Sequence, residues 1–399
     1  MKIVHINTVD YGSSNLLINN ISMYDNSIEH VLYVPVITNK LKDRNIKVKS
    51  YSYKLLQLIY YGIFCITENN YGLCFLSTIK LINRLKKEYP DIIHIHSLNC
   101  QGANFKMLMN YLNKNKIGIV ITHHSEFLYT TGCTHSYECE KLFEFCHKCP
   151  KSKFYSKFKL DLNKRVWKNM INLYSNTNIY NVAVSKWQHS RIIRSPLLKN
   201  NYNLLIQNGI NISNYKVDTN IIDSNKKSFI LYVTSVFDSK DFDYKGSGFL
   251  SHIARNCKDI NFIVISSVYI NKEEIDNVQY ISDINDISTM AYYYNNAKIT
   301  LQLSKRETFG LTSAESLCCG TKIVGFKNGA IESFFREEYG LLYDFGHVND
   351  LIKGLHEIYN DDYNCCKLAR LACSDFDSNK MSEKYLDLYK YIYKESNKL

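Results

Sequence analysis

Short apolar runs recur along this chain, most of them followed by a polar loop and then by residues with helical spacing. In the first half they fall at 2–6, 31–36, 91–96, 117–122 and 182–187, and in the second at 229–235, 261–267, 299–303 and 322–326. Runs bounded by turn residues and apolar on both faces predict the buried strands of a parallel sheet. Strands that alternate with helical stretches predict open α/β sheets. Helical spacing is found at 55–82, 290–297, 350–359 and 381–393, and from Lys245-Gly246 to about Asn256. Another such stretch stops at Gly320, the residue type most often found just past a helix end. In the last helix Tyr385, Leu388, Tyr389 and Ile392 share one face. The run Leu55-Leu56-Gln57-Leu58-Ile59-Tyr60-Tyr61 predicts a helix facing the core. The alternative is an acceptor surface turned towards a membrane, because Lys54, Lys80, Arg84, Lys86 and Lys87 nearby would suit anionic lipid.

A chain of 399 residues can bury a large core and divides naturally into two or three domains. Asn208-Gly209 supplies the tight turn that a crossover between two sheets needs, and polar residues 218–228 read as a loop opening the second. The expected partition is 1–205, 206–375 and a terminal helix at 376–399. Hydrophobic content of 45% and charged content of 22% are ordinary for a soluble globular protein. The net charge of +11 suits an anionic partner, either nucleotide diphosphate, lipid headgroup or nucleic acid. No Lys/Arg stripe interleaved with aromatics is evident, which disfavours nucleic acid. The opening residues 1–7 are too short and too polar for a secretory signal. The longest apolar run, 55–66, falls well below the ~20 residues of a membrane span. Thirteen cysteines without an export signal indicate a reducing cytosol.

The densest chemistry lies at 304–321. Strand 299–303, a loop, a helix ending at Gly320 and strand 322–326 form a βαβ unit. Its loop stands at the carboxyl end of a strand, where open α/β sheets bind ligands. Gly310 allows close backbone approach, and the first free amides of the following helix suit phosphate. Glu307 stands in the loop and Glu315 about two turns into the helix. One carboxylate can meet the sugar of a nucleotide sugar while the other accepts both ribose hydroxyls. Two solvated glutamates are the plainer alternative. Lys245, at a helix start, opposes the helix dipole unless an anion sits there, and Lys240 is a second cation in the same loop. His123 ends strand 117–122 at the edge where ligands bind. Gly12-Ser13 lies in the loop after the first strand, as a ligand-facing turn or a plain one. Cys133, Cys139, Cys146 and Cys149 pack four thiols into the pattern C-x5-C-x6-C-x2-C. That spacing fits a closed tetrahedral zinc site, with packing thiols or a redox pair as alternatives.

These motifs together resemble the retaining glycosyltransferases of family 4, which have the GT-B fold: two Rossmann-like α/β domains facing a cleft. Glu307 to Glu315 matches the E-x7-E signature, with Thr308, Phe309 and Gly310 inside it. Thr122-His123-His124, Ser185-Lys186-Trp187, Asn208-Gly209-Ile210 and Lys245-Gly246 correspond to further family segments. His124 replaces the family's Asp, and Ser13 its second Gly. Cys139-Glu140-Lys141 and Cys149-Pro150 resemble one branch with a Cys-rich insert. The resemblance implies transfer of a sugar from a nucleotide diphosphate sugar to a glycan or lipid-linked acceptor, with retention and without a catalytic metal. Glu307 would hold the sugar and Glu315 the ribose. Lys245, with Lys240, Thr308 and the Phe309-Gly310 amides, would grip the diphosphate, while His123 would contact the sugar and Gly12-Ser13 the acceptor. The implied setting is bacterial O-antigen, capsule or exopolysaccharide synthesis. The enzyme would be cytoplasmic, and peripheral on the anionic cytoplasmic face of the inner membrane. The rival expectations are a nucleotide-sugar epimerase or hydrolase, a zinc-dependent nucleic-acid-binding protein, and an inactive glycosyltransferase-like subunit.

Overall fold

The structure, a computed structural model, describes all residues except 39–44, 68–70, 99–101, 150–162, 219–227, 243, 283, 285 and 397–399. Pro150 and most of the polar loop expected at 218–228 lie outside the described residues. The chain forms two compact units, Met1–Gln207 with Asn379–Leu399, and Asn208–Ser378.

The first unit runs β1 (Lys2–Ile6), α1 (Ser13–Tyr24), β2 (Glu29–Val34), β3 (Lys47–Ser50), α2 (Lys54–Thr67), α3 (Phe75–Glu88) and β4 (Ile92–Ile95). It continues with α4 (Phe105–Lys114), β5 (Gly118–His123), α5 (Asn163–Ser175), β6 (Tyr180–Ala183), α6 (Lys186–Arg194) and β7 (Tyr202–Leu205). The second unit runs β8 (Phe229–Phe237), α7 (Gly248–Asn256), β9 (Asn261–Tyr269), β10 (Val278–Ser282), α8 (Ile287–Asn296) and β11 (Ala297–Gln302). Then come α9 (Leu311–Cys318), β12 (Lys322–Phe326), β13 (Gly340–Tyr343), α10 (Val348–Asn360), α11 (Cys365–Phe376) and α12 (Ser378–Ser396). The sheets are parallel, with strand orders β3-β2-β1-β4-β5-β6-β7 and β10-β9-β8-β11-β12-β13. Each is a doubly wound sheet whose order reverses beside its first strand.

Local chemistry fixes the helix starts. The side chains of Asn104, Ser185, Asp286 and Asn364 accept from Met107, Gln188, Thr289 and Lys367 amides at the heads of α4, α6, α8 and α11. The cap at Ser185 places Trp187 inside a helix, where the sequence suggested a strand passing into a turn. Helix α12 packs in the first unit. Tyr385, Leu388, Tyr389 and Ile392 are buried with Ile3, Ile92, Val120 and Val182 of its sheet. Gly118 permits that approach, because a β-carbon there would meet Ile392 at 2.5 Å.

Helix α2 corrects the expectation of a core-facing helix. Leu55 is 70% exposed and Leu58 59%, and Ile59 and Tyr61 are also open to solvent. Phe75, Leu76 and Ile79 of α3 are exposed as well. The inward positions are Tyr60 and Gln57. The Gln57 amide donates to the Ser52 hydroxyl at 2.7 Å, which in turn bonds the Ser77 hydroxyl at 2.7 Å. A polar knot, not the leucines, anchors this helix.

Candidate functional site

In the second unit the order reverses between β8 and β11, so the loops leaving these two strands flank the point where doubly wound sheets take ligands. The loop after β8 carries Lys245 and the loop after β11 carries Glu307. Asp241 shapes the first, its carboxylate accepting from the Tyr244 and Lys245 amides at 2.7 Å each. Gly246 then turns with φ +73°, and a β-carbon there would strike the Leu303 carbonyl oxygen. This contact seats one loop on the end of the neighbouring strand and brings Lys245 Nζ to 2.9 Å from Glu307 Oε1. Both side chains are largely shielded. Burial alone would lower the Lys245 pKa, but the Glu307 carboxylate, with Tyr244 and Asp241, outweighs it and raises the value. Helix α7 begins only at Gly248, so Lys245 stands ahead of the helix and not within its first turn. Lys240 is exposed earlier in the loop, its amide donating to Asp238 Oδ1.

Gly310 precedes α9 with φ +91°, a left-handed conformation that favours glycine. Its carbonyl accepts from the Ser313 and Ala314 amides as the helix begins. Phe309 turns inward, packing with Phe334 and Phe376 at 5.4 and 6.0 Å between ring centroids. Its side chain therefore braces the loop from beneath, and any ligand contact there belongs to the backbone. Thr308, half-buried, lies beside it. Glu307 is tied to the next strand's loop, its amide donating to the Asn328 carbonyl at 3.2 Å. Glu315 sits within α9, where Tyr294 donates to its Oε2 at 3.0 Å. Burial raises its pKa to about 7, while the hydroxyls of Tyr294 and Tyr215 pull it down. Lys245, Glu307 and Gly310 thus stand in loops at one end of one sheet, and Glu315 lies farther along α9 beside Tyr294 and Tyr215.

In the first unit Gly12 has φ +82° and open space around its missing β-carbon, and Ser13 begins α1. The side-chain amides of Asn7 and Asn15 both donate to the Val9 carbonyl at 3.0 Å and fix this loop. His123 ends β5, fully enclosed, with Nε2 3.0 Å from Asn181 Oδ1. Its Nδ1 has no partner among the described residues. Burial lowers its pKa to about 4. His96, Thr122, His123 and His124 line a small cavity at this edge of the sheet.

Cys133, Cys139, Cys146 and Cys149 are all half-buried. Burial raises the Cys146 pKa, and Cys139 and Cys149 lie close enough to add to that. Among the described residues no three of these thiols have their sulfurs within 4.8 Å of one another. A buried ion pair anchors their segment instead. Arg191 Nε donates to Glu126 Oε1 at 2.7 Å, and Arg191 also donates to the Ser136 hydroxyl at 2.6 Å.

The sequence reading passed over His5, His94 and His96, which the sheet gathers at the other reversal point, between β1 and β4. Their signal was present. Histidines occupied strand positions that normally hold branched aliphatics, and two of them were spaced to share a face.

The architecture is that of the GT-B fold, two Rossmann-like α/β domains. Residues 266–372, within the second unit, match the family model for glycosyl transferases group 1, and this stretch includes the Glu307 loop. Sucrose-phosphate synthase from Thermosynechococcus elongatus is similar in structure at 13% identity, with a TM-score of 0.69 over 98% of this chain and 99% of that one. Anabaena HepE, solved in complex with UDP and glucose, is 14% identical, with a TM-score of 0.64 over 98% and 100%. The catalytic domain of starch synthase IV from Arabidopsis thaliana, bound to ADP and acarbose, is 12% identical, with a TM-score of 0.64 over 98% and 99%. No curated protein matches the chain in sequence.

Proposed function

We propose that this chain is a glycosyltransferase that moves a sugar from a nucleotide diphosphate sugar to a glycan or lipid-linked acceptor, with retention. The observation that carries this reading is the Lys245–Glu307 pair at the reversal point of a sheet bearing the group 1 match. When a diphosphate arrives it replaces Glu307 as the partner of Lys245, and Glu307 is released to the sugar hydroxyls. Lys245 and the amides after Gly310 then face charge growing on the leaving group, the kind of prearranged stabilisation that often dominates catalysis. Glu315 takes the ribose. The neighbours solved with UDP or ADP support a nucleotide donor.

The membrane part of the proposal rests on α2 and α3. Their exposed Leu55, Leu58, Ile59, Phe75 and Leu76 stand among Lys54, Lys80, Lys86 and Lys87, a composition suited to an anionic bilayer surface. No helix among the described residues is long and apolar enough to cross a membrane. A lipid-linked acceptor of bacterial surface polysaccharide synthesis fits that placement. Zinc, where supplied, would draw Cys133, Cys139, Cys146 and Cys149 together and stiffen their segment. About one sulfur-bound zinc per chain, lost in Cys146→Ser, would support this, and complete absence of sulfur-bound metal would overturn it.

The test of the transferase reading is a panel of nucleotide diphosphate sugars incubated with and without membrane-extracted glycolipid. Release of nucleotide diphosphate that requires acceptor, with sugar incorporated into the lipid fraction, is expected. Conversion of the donor alone would make the protein an epimerase or hydrolase instead.

A further inference from the structure

One face of the first sheet is apolar at Ile3, Ile92, Val120 and Val182, where α12 covers it. Across the middle of that face runs a row of imidazoles. His5 pairs in register with His94, and His96 follows two residues on. Their side chains are 0%, 0% and 3% exposed. His5 Nδ1 and His96 Nε2 face each other at 2.9 Å. One ring nitrogen from each of the three histidines lies within 4.8 Å of the others.

We propose that His5, His94 and His96 bind a first-row transition-metal ion that prefers imidazole, with Zn²⁺ as the representative. Three observations carry this. The nitrogens already converge: about 2.0–2.1 Å from a tetrahedral ion they would stand roughly 3.4 Å apart, so closing on it takes side-chain shifts of about an ångström. The ligand set holds nitrogen alone, which suits zinc, nickel or copper and excludes magnesium and calcium. Each ring also has an outer hydrogen bond of the kind that orients metal ligands. His5 Nε2 meets His30 Nδ1 at 2.9 Å, and His96 Nδ1 meets His124 Nε2 at 3.0 Å. His94 lies between the Tyr389 hydroxyl at 2.6 Å and the Thr122 hydroxyl at 2.7 Å. Binding takes one of these two bonds and leaves the other as the orienting contact.

The site has a consequence for its neighbours. A metal on His96 Nε2 requires Nδ1 to carry the proton and donate to His124. That fixes the tautomer of a ring lining the same cavity as His123. The ion would thus pin β1 to β4 and set the hydrogen-bonding state of the cavity, without touching a reacting group.

Zinc K-edge X-ray absorption on the full chain, loaded with one and with two equivalents of Zn²⁺, reads the ligands directly. Imidazole scattering from a site without sulfur is expected in wild type at one of the two loadings. His94→Leu and His5→Leu should each lose that component, along with the rise in melting temperature that Zn²⁺ confers and Mg²⁺ does not. His30→Phe, which removes an outer partner, should weaken zinc binding about tenfold. A wild-type shell of sulfur alone at both loadings, or zinc that dialyses away completely, would overturn the proposal whether or not the variants fold. Sulfur-bound zinc on the cysteine segment would persist in His94→Leu, so the two sites are separable.

Discussion

Glu315 holds its proton to about pH 7, well above the ordinary glutamate value of 4.5, because burial disfavours its charged form more than the Tyr294 and Tyr215 hydroxyls favour it. A ribose offers two hydroxyl donors, and only the ionised carboxylate accepts both. Nucleotide binding below pH 7 must therefore expel a proton. UDP affinity should fall about tenfold per pH unit below pH 7 and level off above it. In Glu315→Gln, calorimetry should find a weak, pH-independent affinity. An equal slope in wild type and variant would remove Glu315 from the ribose. The free protein responds in the opposite sense. Since the folded pKa is the higher one, this group's contribution to stability is fully present below about pH 4.5 and is lost as pH rises through about 7.

Lys245 invites a second test at the same scale. Lys245→Met keeps most of the side-chain volume but removes the cation that faces Glu307. Turnover should drop by roughly 10²–10³, as when one prearranged charge donor is removed, with a smaller change in KM. Loss of substrate affinity with unchanged turnover would make Lys245 a binding residue only. The positions of Lys245 and Glu307 were legible because each stood in a loop between an apolar run and a helix, and Glu315 because it followed Glu307 at the E-x7-E spacing. The role of Phe309 was not, since sequence alone does not say which way a loop phenylalanine turns, and the aromatic cluster that claims it comes from residues 334 and 376. The histidine row escaped for a related reason. Each ring looked like an isolated exception within its strand until strand pairing placed His5 beside His94.

Among the elements, the strands flanking each sheet centre were readable because two-sided burial writes continuous apolar runs. Helices α1, α4 and α5 and strand β3 were not singled out, being short or heavily polar. Helix α2 was placed on the wrong side for a physical reason. Its apolar residues nearly encircle it, so periodicity could not choose a face, and Gln57 was buried through bonds to Ser52 and Ser77. The outward face makes a prediction. Basic residues near an anionic bilayer contribute about 1 kcal/mol each, screened over about 8 Å at physiological salt. Apolar insertion is not screened. Wild-type protein should sediment with anionic vesicles at low salt and partly resist a high-salt wash. Leu55→Ser/Leu58→Ser/Ile59→Ser should wash off entirely while keeping its melting temperature, since these side chains are already in water. Equal recovery of both proteins in every supernatant would rule out the face as a membrane contact.

For the whole molecule, the first unit is discontinuous in sequence, because α12 completes a sheet begun at residue 2. Burying Tyr385, Leu388, Tyr389 and Ile392 contributes roughly 1.5–3 kcal/mol each, and their sum is comparable to the roughly 5–15 kcal/mol that holds an entire domain folded. Tyr385 and Tyr389 also bond Thr122 and His94, so removing the helix strands polar groups as well as apolar ones. A chain ending at Ser378 should therefore lose the first unit's cooperative unfolding transition. The second unit keeps its own core around Ile230, Leu301 and Val324, as well as the Lys245–Glu307 pair. Its transition should persist in scanning calorimetry and still move upward with added UDP, by mass action on the folded state. Wild type should show both transitions, with only one of them shifted by UDP. A truncated chain that retains both would mean that the helix decorates the first sheet without supporting it. Loss of the UDP shift on truncation would show that the nucleotide site needs more than the unit carrying Glu307.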